Sequence, residues 1–434
     1  MTPSRPSPPA APTLEDCLAR DRADPLGALR EQFVLPEGVI YLDGNSLGAL
    51  PRSAAARIRD AVEHEWGQGL IRSWNDAGWF TLPHRVGDRI APLIGAGPGE
   101  VLAVDGTSIN LYKVLCAALD LAARRKSGPL TVLSERGNFP TDLYIAEGAC
   151  RERGAQLRTV ATPALADAID TGADVLMLTH VNYRTGAMHD MASVTRRAQA
   201  AGALVIWDLA HSAGAVPVHL NADNADFAIG CGYKYLNGGP GAPGFVWVHP
   251  RHVNQALQPL SGWWGHASPF AFTSGYEAAE GIRRYQCGSQ PVLSLIALDE
   301  GVGSVLAAAP FGGIAALREK SLSLSDLFIG CVTPWLASFG LGLATPLDHA
   351  ARGSQVSLTR AEGAYAIMQA LIARGVIGDF RAGDGNNEAD ILRFGFTPLY
   401  VRHADVWQAA EQLRQVLASG EWQAPRFAQR REVT

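Results

Sequence analysis

"GCGYKYLNGGPGAPGFVWV", residues 230–248, sets one lysine, Lys234, between two tyrosines and ahead of a glycine- and proline-rich turn that re-enters an apolar strand. Of the 37 Lys and Arg residues only four are lysine, Lys113, Lys126, Lys234 and Lys320, so arginine is this chain's usual cation. Lys126 in "ARRKSG" and Lys320 in "REKS" have polar neighbours and read as solvated, while Lys113 falls on a helical stretch whose other face is apolar. Arginine keeps its proton at any relevant pH, whereas a buried lysine can lose it and become a nucleophilic amine. The alternative for Lys234 is an aliphatic stem packed at a strand end with its ammonium in water.

A chain of 434 residues exceeds what one core usually supports, about 250–300 residues, so two domains are expected. With 47% hydrophobic residues, 18% charged residues and 46 glycines, the composition is that of a loop-rich globular protein. A net charge of -5 offers no basic face to nucleic acid. The cysteines, Cys17, Cys116, Cys150, Cys231, Cys287 and Cys331, include no C-x-x-C pair. Neither a metal site nor a disulfide framework is read from them, and a reducing, cytoplasmic compartment is expected. The opening "MTPSRPSPPAAPTLED" lacks an apolar segment and reads as a disordered tail instead of a signal peptide. No uncharged apolar run of about 20 residues offers a membrane span.

On the N-terminal side of the lysine, the strands "VLAV", "LTVL", "DVLML" and "ALVIW" alternate with helical stretches such as "SINLYKVLCAALDLAARR" and "MASVTRRAQAAG". That alternation predicts βαβ units winding a mostly parallel sheet with helices on both faces. The sheet is expected to end after "FAIGC" and "GFVWV". Helical periodicity begins near Leu14, and "PRSAAARIRDAVEHEW" predicts a helix with Pro51 at its first position. The last third mixes strands and helices as a second unit, and the closing "RFAQRREVT" reads as frayed.

Ligands of open α/β sheets bind outside the carboxyl ends of the strands, so the residues just after each apolar run are the ones to read. "VLAV" hands over to Asp105, Gly106, Thr107 and Ser108, "LTVL" to "SERGNFPTD", "VLML" to "THVNYRTG", "LVIW" to "DLAHSAG", and "FAIGC" to "GYKYLNGG". Thr107 and Ser108 open a helix whose first N–H groups can bind a phosphate or simply be capped. Asp208, with His211 three residues on, can hold ribose, a metal or a cationic nitrogen; Phe139 reads as core or as a stacking face. An anion anchor, an acid, an aromatic face and a lysine at one sheet edge share one chemical explanation, pyridoxal phosphate. Two decoys are weaker. "GPGAPG", residues 239–244, precedes a strand where a dinucleotide fingerprint must follow one. "GNSLG", residues 44–48, has the spacing of a nucleophile elbow but stands before the main sheet with no oxyanion-hole run.

The segments "YLDGNSLGALP", "LIRSWNDAGWF", "GNFPTDLY", "DLAHSAGAVPV", "GYKYLNGGPGAPGF", "LSGWWGH" and "ILRFGFTPLY" together resemble the kynureninase family of fold-type-I pyridoxal-phosphate enzymes, within aminotransferase class V. The likeness covers nearly the whole chain after the first dozen residues. It implies an α/β fold of that type, with a mostly parallel sheet, helices on both faces and a smaller α/β domain. The implied organisation is a disordered tail at 1–13, residues 14–70 contributing to the small domain, a large cofactor-binding domain at 71–324 and a C-terminal small domain at 325–434.

What the resemblance implies for function is hydrolytic Cβ–Cγ cleavage of L-kynurenine, or its 3-hydroxy form, to anthranilate, or 3-hydroxyanthranilate, and L-alanine. The setting is tryptophan catabolism or NAD precursor synthesis. Lys234 would be the Schiff-base lysine and Tyr233 a phosphate contact and proton donor. Asp208 would pair with the pyridine nitrogen, supported by His211, while Thr107, Ser108, Phe139, Pro140, Thr141, Asp142 and Thr179 surround the cofactor. Trp263 and Ser289 would reach the cofactor from the neighbouring subunit of a homodimer that shares its active sites. Ser289 departs from the asparagine of many relatives. On the substrate side stand Ser46, Trp74 and Arg393, the last as holder of the α-carboxylate; its other reading is a surface arginine. The alternatives are a cysteine desulfurase or selenocysteine lyase, which needs a mobile thiol for which only Cys331 stands late in the chain, and a non-catalytic pyridoxal-phosphate-binding regulator, which needs a DNA-binding module.

Overall fold

The computed structural model describes residues 12–385 and 388–430. Of the tail expected at 1–13, residues 1–11 lie outside the described ones, and Thr13 already caps the helix Leu14–Ala23: Asp16 N donates to its Oγ1 at 3.2 Å, and its own N donates to Asp16 Oδ2 at 2.9 Å. At the other end 431–434 lie outside the described residues. The fraying expected over 426–434 does not hold for its first residues, because Pro425–Ala428 is helical and seats Phe427 in the core.

Seven strands form the main sheet: β1 (Val101–Ala103), β2 (Thr131–Glu135), β3 (Gln156–Val160), β4 (Val175–Thr179), β5 (Leu204–Asp208), β6 (Phe227–Gly230) and β7 (Phe245–Val248). Their order is β1-β7-β6-β5-β4-β2-β3. The pairs from β6 through β3 are parallel, and β7 runs antiparallel to both neighbours. The βα pattern accounts for the parallel part. β7 departs because the chain turns straight back from β6 through the lysine loop, whereas β5 reaches its parallel neighbour β6 by a crossover over residues 209–226 that contains no helix. The pattern also omits β3, an edge strand with exposed and half-buried residues such as Arg158, which carries little apolar signal.

Side chains along each inner strand alternate between two buried clusters. Leu176, Leu178, Val205, Trp207, Ala228, Phe245 and Trp247 face one core. Val175, Met177, Leu204, Ile206, Phe227, Ile229, Val246 and Val248 face the other, under the helices Thr107–Ala123 and Pro140–Arg153. Both faces are dry, which is why these strands read as continuous apolar runs, each large side chain contributing about 1.5–3 kcal/mol.

The second unit is an antiparallel sheet of β8 (Leu341–Leu343), β9 (Gln355–Arg360), β10 (Asp379–Arg381) and β11 (Asp390–Gly395) in the order β8-β9-β11-β10. The helices Gly313–Leu336 and Ala364–Ala373 pack against it, and His403–Ser419 packs against those two helices. Leu14–Ala23 lies against His403–Ser419 and Ile40–Tyr41 pairs in parallel with Val376–Ile377, whereas Arg52–Asp60 packs against Val292–Leu306. The division expected at 324–325 falls within the continuous helix Gly313–Leu336. The helix expected from Pro51 begins at Arg52 with Pro51 as its N-cap, and past Asp60 it widens to π geometry over Ala61–Gly69.

Val292–Phe311 and Gly313–Phe339 are long and apolar enough by composition to cross a membrane. Both carry charges bonded to protein groups: Asp299 lies 3.4 Å from Arg85 and also pairs with Arg89, Arg318 donates to Gly353 O at 3.1 Å, and Lys320 lies 2.6 Å from Asp24.

Candidate active site at the sheet edge

Strands β4, β5 and β6 end at one edge, with Thr179 in register with Asp208 and Asp208 with Ile229. The fourteen-residue loop from β6 to β7 begins there and closes on itself, Asn237 N bonding Lys234 O at 3.0 Å and Gly238 N bonding Gly232 O at 2.9 Å. Gly232 is required because a Cβ there would stand 2.3 Å from Pro243 O. The "GNSLG" turn docks on the same loop: Gly48 N bonds Tyr233 O at 2.8 Å, and a Cβ on Gly48 would lie 2.5 Å from Lys234 O. That close approach is the structural use of the sequence that resembled a nucleophile elbow. Gly48→Ala is expected to push the lysine loop away and destabilise the protein by about 1–3 kcal/mol, read as a lowered Tm; an unchanged Tm would show that the loop yields freely.

All four lysines are described, and three are neutralised. Lys113 is wholly buried and pairs with Asp105 while donating to Tyr285 O at 2.6 Å, Lys126 lies 3.1 Å from Asp174, and Lys320 lies 2.6 Å from Asp24. The solvated setting expected for Lys320 is therefore corrected, since packing of Leu14–Ala23 and its following turn covers it. Lys234 instead has His211 Nε2 at 3.4 Å from its Nζ, with the Phe139 ring centroid 6.0 Å away. Burial lowers the Lys234 pKa, with the Cys231 and Asp208 charges opposing and Arg393 among those assisting. Burial, reinforced by the Lys234 charge, holds His211 well below its ordinary range, so its imidazole is neutral. Lys234 is thus a buried amine with a lowered pKa and no carboxylate within ion-pair distance, a setting that suits nucleophile and base chemistry.

A cavity of about 200 Å³ surrounds Lys234. On one side is the N-terminus of Thr107–Ala123, where Thr107 and Ser108 line the cavity and no side chain caps the helix. Opposite are two acids. Asp208 takes Ala210 N at 2.8 Å and Thr179 Oγ1 at 3.5 Å, while Asp142 has a buried Oδ2 with no partner. Burial raises both carboxyl pKa values, the Asp208 charge adding to the rise at Asp142 and the Lys234 charge moderating it at Asp208. Phe139, Thr141, His211 and Tyr233 complete the wall, and Pro140 supports Phe139 as the first residue of the next helix. Burial likewise raises the Tyr233 pKa, so its hydroxyl keeps its proton. Wider space, about 510 Å³, lies between residues 30–40 and His403–Ser419, but it is lined by Arg30, Arg52, Arg374 and Arg402 without a lysine.

These features fit pyridoxal phosphate: an uncapped helix N-terminus for phosphate, and an unpartnered buried acid oxygen beside a second acid for a cationic ring nitrogen.

Arg393 is buried, with 1% side-chain exposure, which excludes the surface reading. Leu392 and Phe394 on either side face the core, and the Arg393 guanidinium bonds Tyr183 O at 2.7 Å, Ser46 Oγ at 2.8 Å and Asp379. It meets the cavity through Tyr183, which lines it. Burial and the Asp379 charge push the nearby Asp43 up to about 7. Ser46, Trp74, Pro140, Trp263, Ser289 and Arg393 are not among the residues lining this cavity. Trp74 packs 5.1 Å from Trp264, whose ring is 4.2 Å from Trp263, in an aromatic patch with exposed Phe270 and Phe272; Ser289 is exposed.

Sequence reasoning passed over Asn138, Tyr183 and Asp379. Asn138 Oδ1 takes both Thr179 Oγ1 and, at 2.7 Å, Phe139 N. Tyr183 meets Phe139 edge to face at 5.1 Å. The first two stand in the strand-end segments "GNFPTD" and "THVNYRTG" and could have been chosen there, whereas Asp379 carries no local signal.

Residues 40–327 match aminotransferase class-V, and residues 317–413 match the kynureninase C-terminal domain. A kynureninase of Burkholderia pseudomallei is 56% identical over 425 residues, 97% of this chain and 100% of the relative. One of Pseudomonas fluorescens is 53% identical over the same shares. Among solved structures, an apo cysteine desulfurase from Thermococcus onnurineus NA1 superposes with a TM-score of 0.75 at 18% identity, covering 90% of this chain and 98% of that one. A C-DES mutant with glycine covalently linked to its PLP cofactor superposes with a TM-score of 0.74 at 16% identity, covering 90% of this chain and 98% of that one. At such identities these neighbours share the fold alone.

Proposed function

Because the chain belongs to the kynureninase family within aminotransferase class V, we propose from that premise how its residues divide the work. The fold is that of the fold-type-I pyridoxal-phosphate enzymes, and the activity is hydrolytic Cβ–Cγ cleavage of L-kynurenine to anthranilate and L-alanine. The desulfurase and regulator alternatives give way. Cys331 in particular is half-buried on Gly313–Leu336, with its thiol pushed up to about 11 by burial.

The observation that carries the assignment of roles is Lys234, unpaired with any carboxylate and depressed by burial, facing the acids Asp142 and Asp208 across one cavity. When bound, pyridoxal phosphate supplies an aldehyde that takes up amines and a cationic ring that stores the electrons of a broken bond to Cα. Thr107, Ser108 and the helix N–H groups hold its phosphate, Asp208 with Asp142 holds its ring nitrogen, and Phe139 covers a ring face. Lys234, as the neutral amine, removes the substrate's Cα proton. One water adds to the γ-carbonyl, and the alanine fragment takes up a proton at Cβ, for which Tyr233 is the donor, and regains at Cα the proton that Lys234 had taken; such general acid–base help is worth roughly 10²–10⁴-fold. Incubating the holoprotein with kynurenine should release anthranilate and alanine in equal amounts; release of sulfide from cysteine without either product would overturn the reading.

Arg393 holds the α-carboxylate in this scheme. Arg393→Lys replaces a planar fork by a point charge and loses one of two charge-assisted bonds, about 1.5–3 kcal/mol, so kcat/KM for kynurenine is expected to fall roughly 10–100-fold. Inhibition by 2-aminoacetophenone, which carries only the aryl ketone end, should be unchanged; an unaltered kcat/KM removes Arg393 from the site.

We extend the proposal to a cytoplasmic homodimer acting in tryptophan catabolism, in which Trp263 and Ser289 serve the partner's cavity and Trp74 lies beside them. Exposed Phe270, at 60%, and Phe272, at 80%, around Trp263 support a covered face there. Light scattering of the purified protein tests it. The domain division, with residues 14–70 joined to the C-terminal unit, belongs to the same proposal.

A further inference from the structure

The protein itself already uses the Arg393 hydrogens that a carboxylate needs. Nη1 donates to Tyr183 O, Nη2 donates to Ser46 Oγ and pairs with Asp379 Oδ2, and Nε is buried without a partner. A guanidinium offers a carboxylate two forks, Nε with Nη2 or Nη1 with Nη2. Both include Nη2, whose two hydrogens are taken. Bidentate capture of a substrate carboxylate therefore requires one of the Nη2 acceptors to leave.

The two acceptors differ in charge. The Ser46 hydroxyl can stay beside an incoming anion, but Asp379 would face it as a like charge in a desolvated site. Asp379 also has other holders: Arg381 Nη2 lies 2.7 Å from the same Oδ2, with the Arg381 side chain 38% exposed, and Ser46 Oγ donates to it at 3.4 Å. The sheet makes the arrangement: Asp379 on β10 stands in register with Arg393 on β11, two residues from Arg381 on the same face.

We infer that Asp379 is a resident stand-in for the substrate's α-carboxylate on Arg393, displaced onto Arg381 when the amino-acid end of the substrate enters. It is a positioning residue that sets affinity, and the inference rests on the reading of Arg393 given above. The stand-in spares Arg393 from being a buried unpaired charge in the free protein, and only a ligand with its own carboxylate can replace it.

In the holoprotein, Asp379→Asn removes the competing charge, so the KM for kynurenine is expected to fall about 3–10-fold as the fraction of Arg393 free to bind rises. The variant without ligand should melt lower than the parent, while saturating L-alanine should raise its melting temperature by more than it raises the parent's. A residue that merely braced the fold would give neither the lower KM nor the larger ligand shift. Arg381→Gln, at a half-buried position, removes the charged holder and should raise KM by a similar factor with kcat unchanged; it decides the matter if Asp379→Asn does not fold. A KM that is unchanged or raised in Asp379→Asn, one unchanged in Arg381→Gln, or one lowered by Ser46→Ala instead overturns the inference. An unchanged kcat/KM in Arg393→Lys would sink the underlying reading of Arg393, a result separate from these.

Discussion

Lys234→Arg is expected to keep the fold and lose both covalently held cofactor and turnover. The guanidinium preserves the positive charge beside His211 and Asp208 but cannot offer a neutral amine at any pH the protein survives. Loss of the general base alone removes roughly 10²–10⁴ in rate, and loss of the covalent anchor adds to it. The parent's visible absorbance from bound cofactor and its anthranilate release, set beside those of the variant at equal Tm, measure the effect. A variant that still turned over kynurenine within tenfold of the parent would assign the amine chemistry elsewhere.

Asp208→Asn comes next in size. The amide keeps an oxygen for Ala210 N, now 2.8 Å from Oδ1, so the end of β5 is expected to hold its shape. What disappears is the charge opposite a ring nitrogen in a site that burial has made expensive for unpaired ions. Breaking such a pair is worth about 3–5 kcal/mol, or roughly 10²–10⁴-fold in kcat. Covalent attachment at Lys234 should survive, which separates this variant from Lys234→Arg. A kcat near that of the parent would make Asp208 a structural acid and shift the role to Asp142.

Much of this site could be read from the chain because a parallel strand delivers the residue after its apolar run to a fixed edge. Thr107, Thr179, Asp208 and Lys234 each follow such a run, and each lines the cavity. The order of the strands was not legible: nothing local marks β3, with its half-exposed face, or the reversed direction of β7. Long-range pairs were equally silent. Lys320 read as solvated because its neighbours in the chain are polar, yet Asp24 meets it from nearly three hundred residues away. Arg393 looked free to bind a ligand because sequence shows its alternation with Leu392 and Phe394 and not the strand beside it, where Asp379 stands in register. Trp74, Trp263 and Ser289 rested on the resemblance alone, and one chain does not carry them to its own cavity.

Lys234 as the amine that engages the cofactor is tested by borohydride reduction of the purified holoprotein followed by peptide mapping. The reduced cofactor is expected on the peptide containing "GYKYLNGGPGAPGF", at Lys234 and with one equivalent per chain. Label on Lys113, Lys126 or Lys320, or no covalent label in an active preparation, would contradict this assignment.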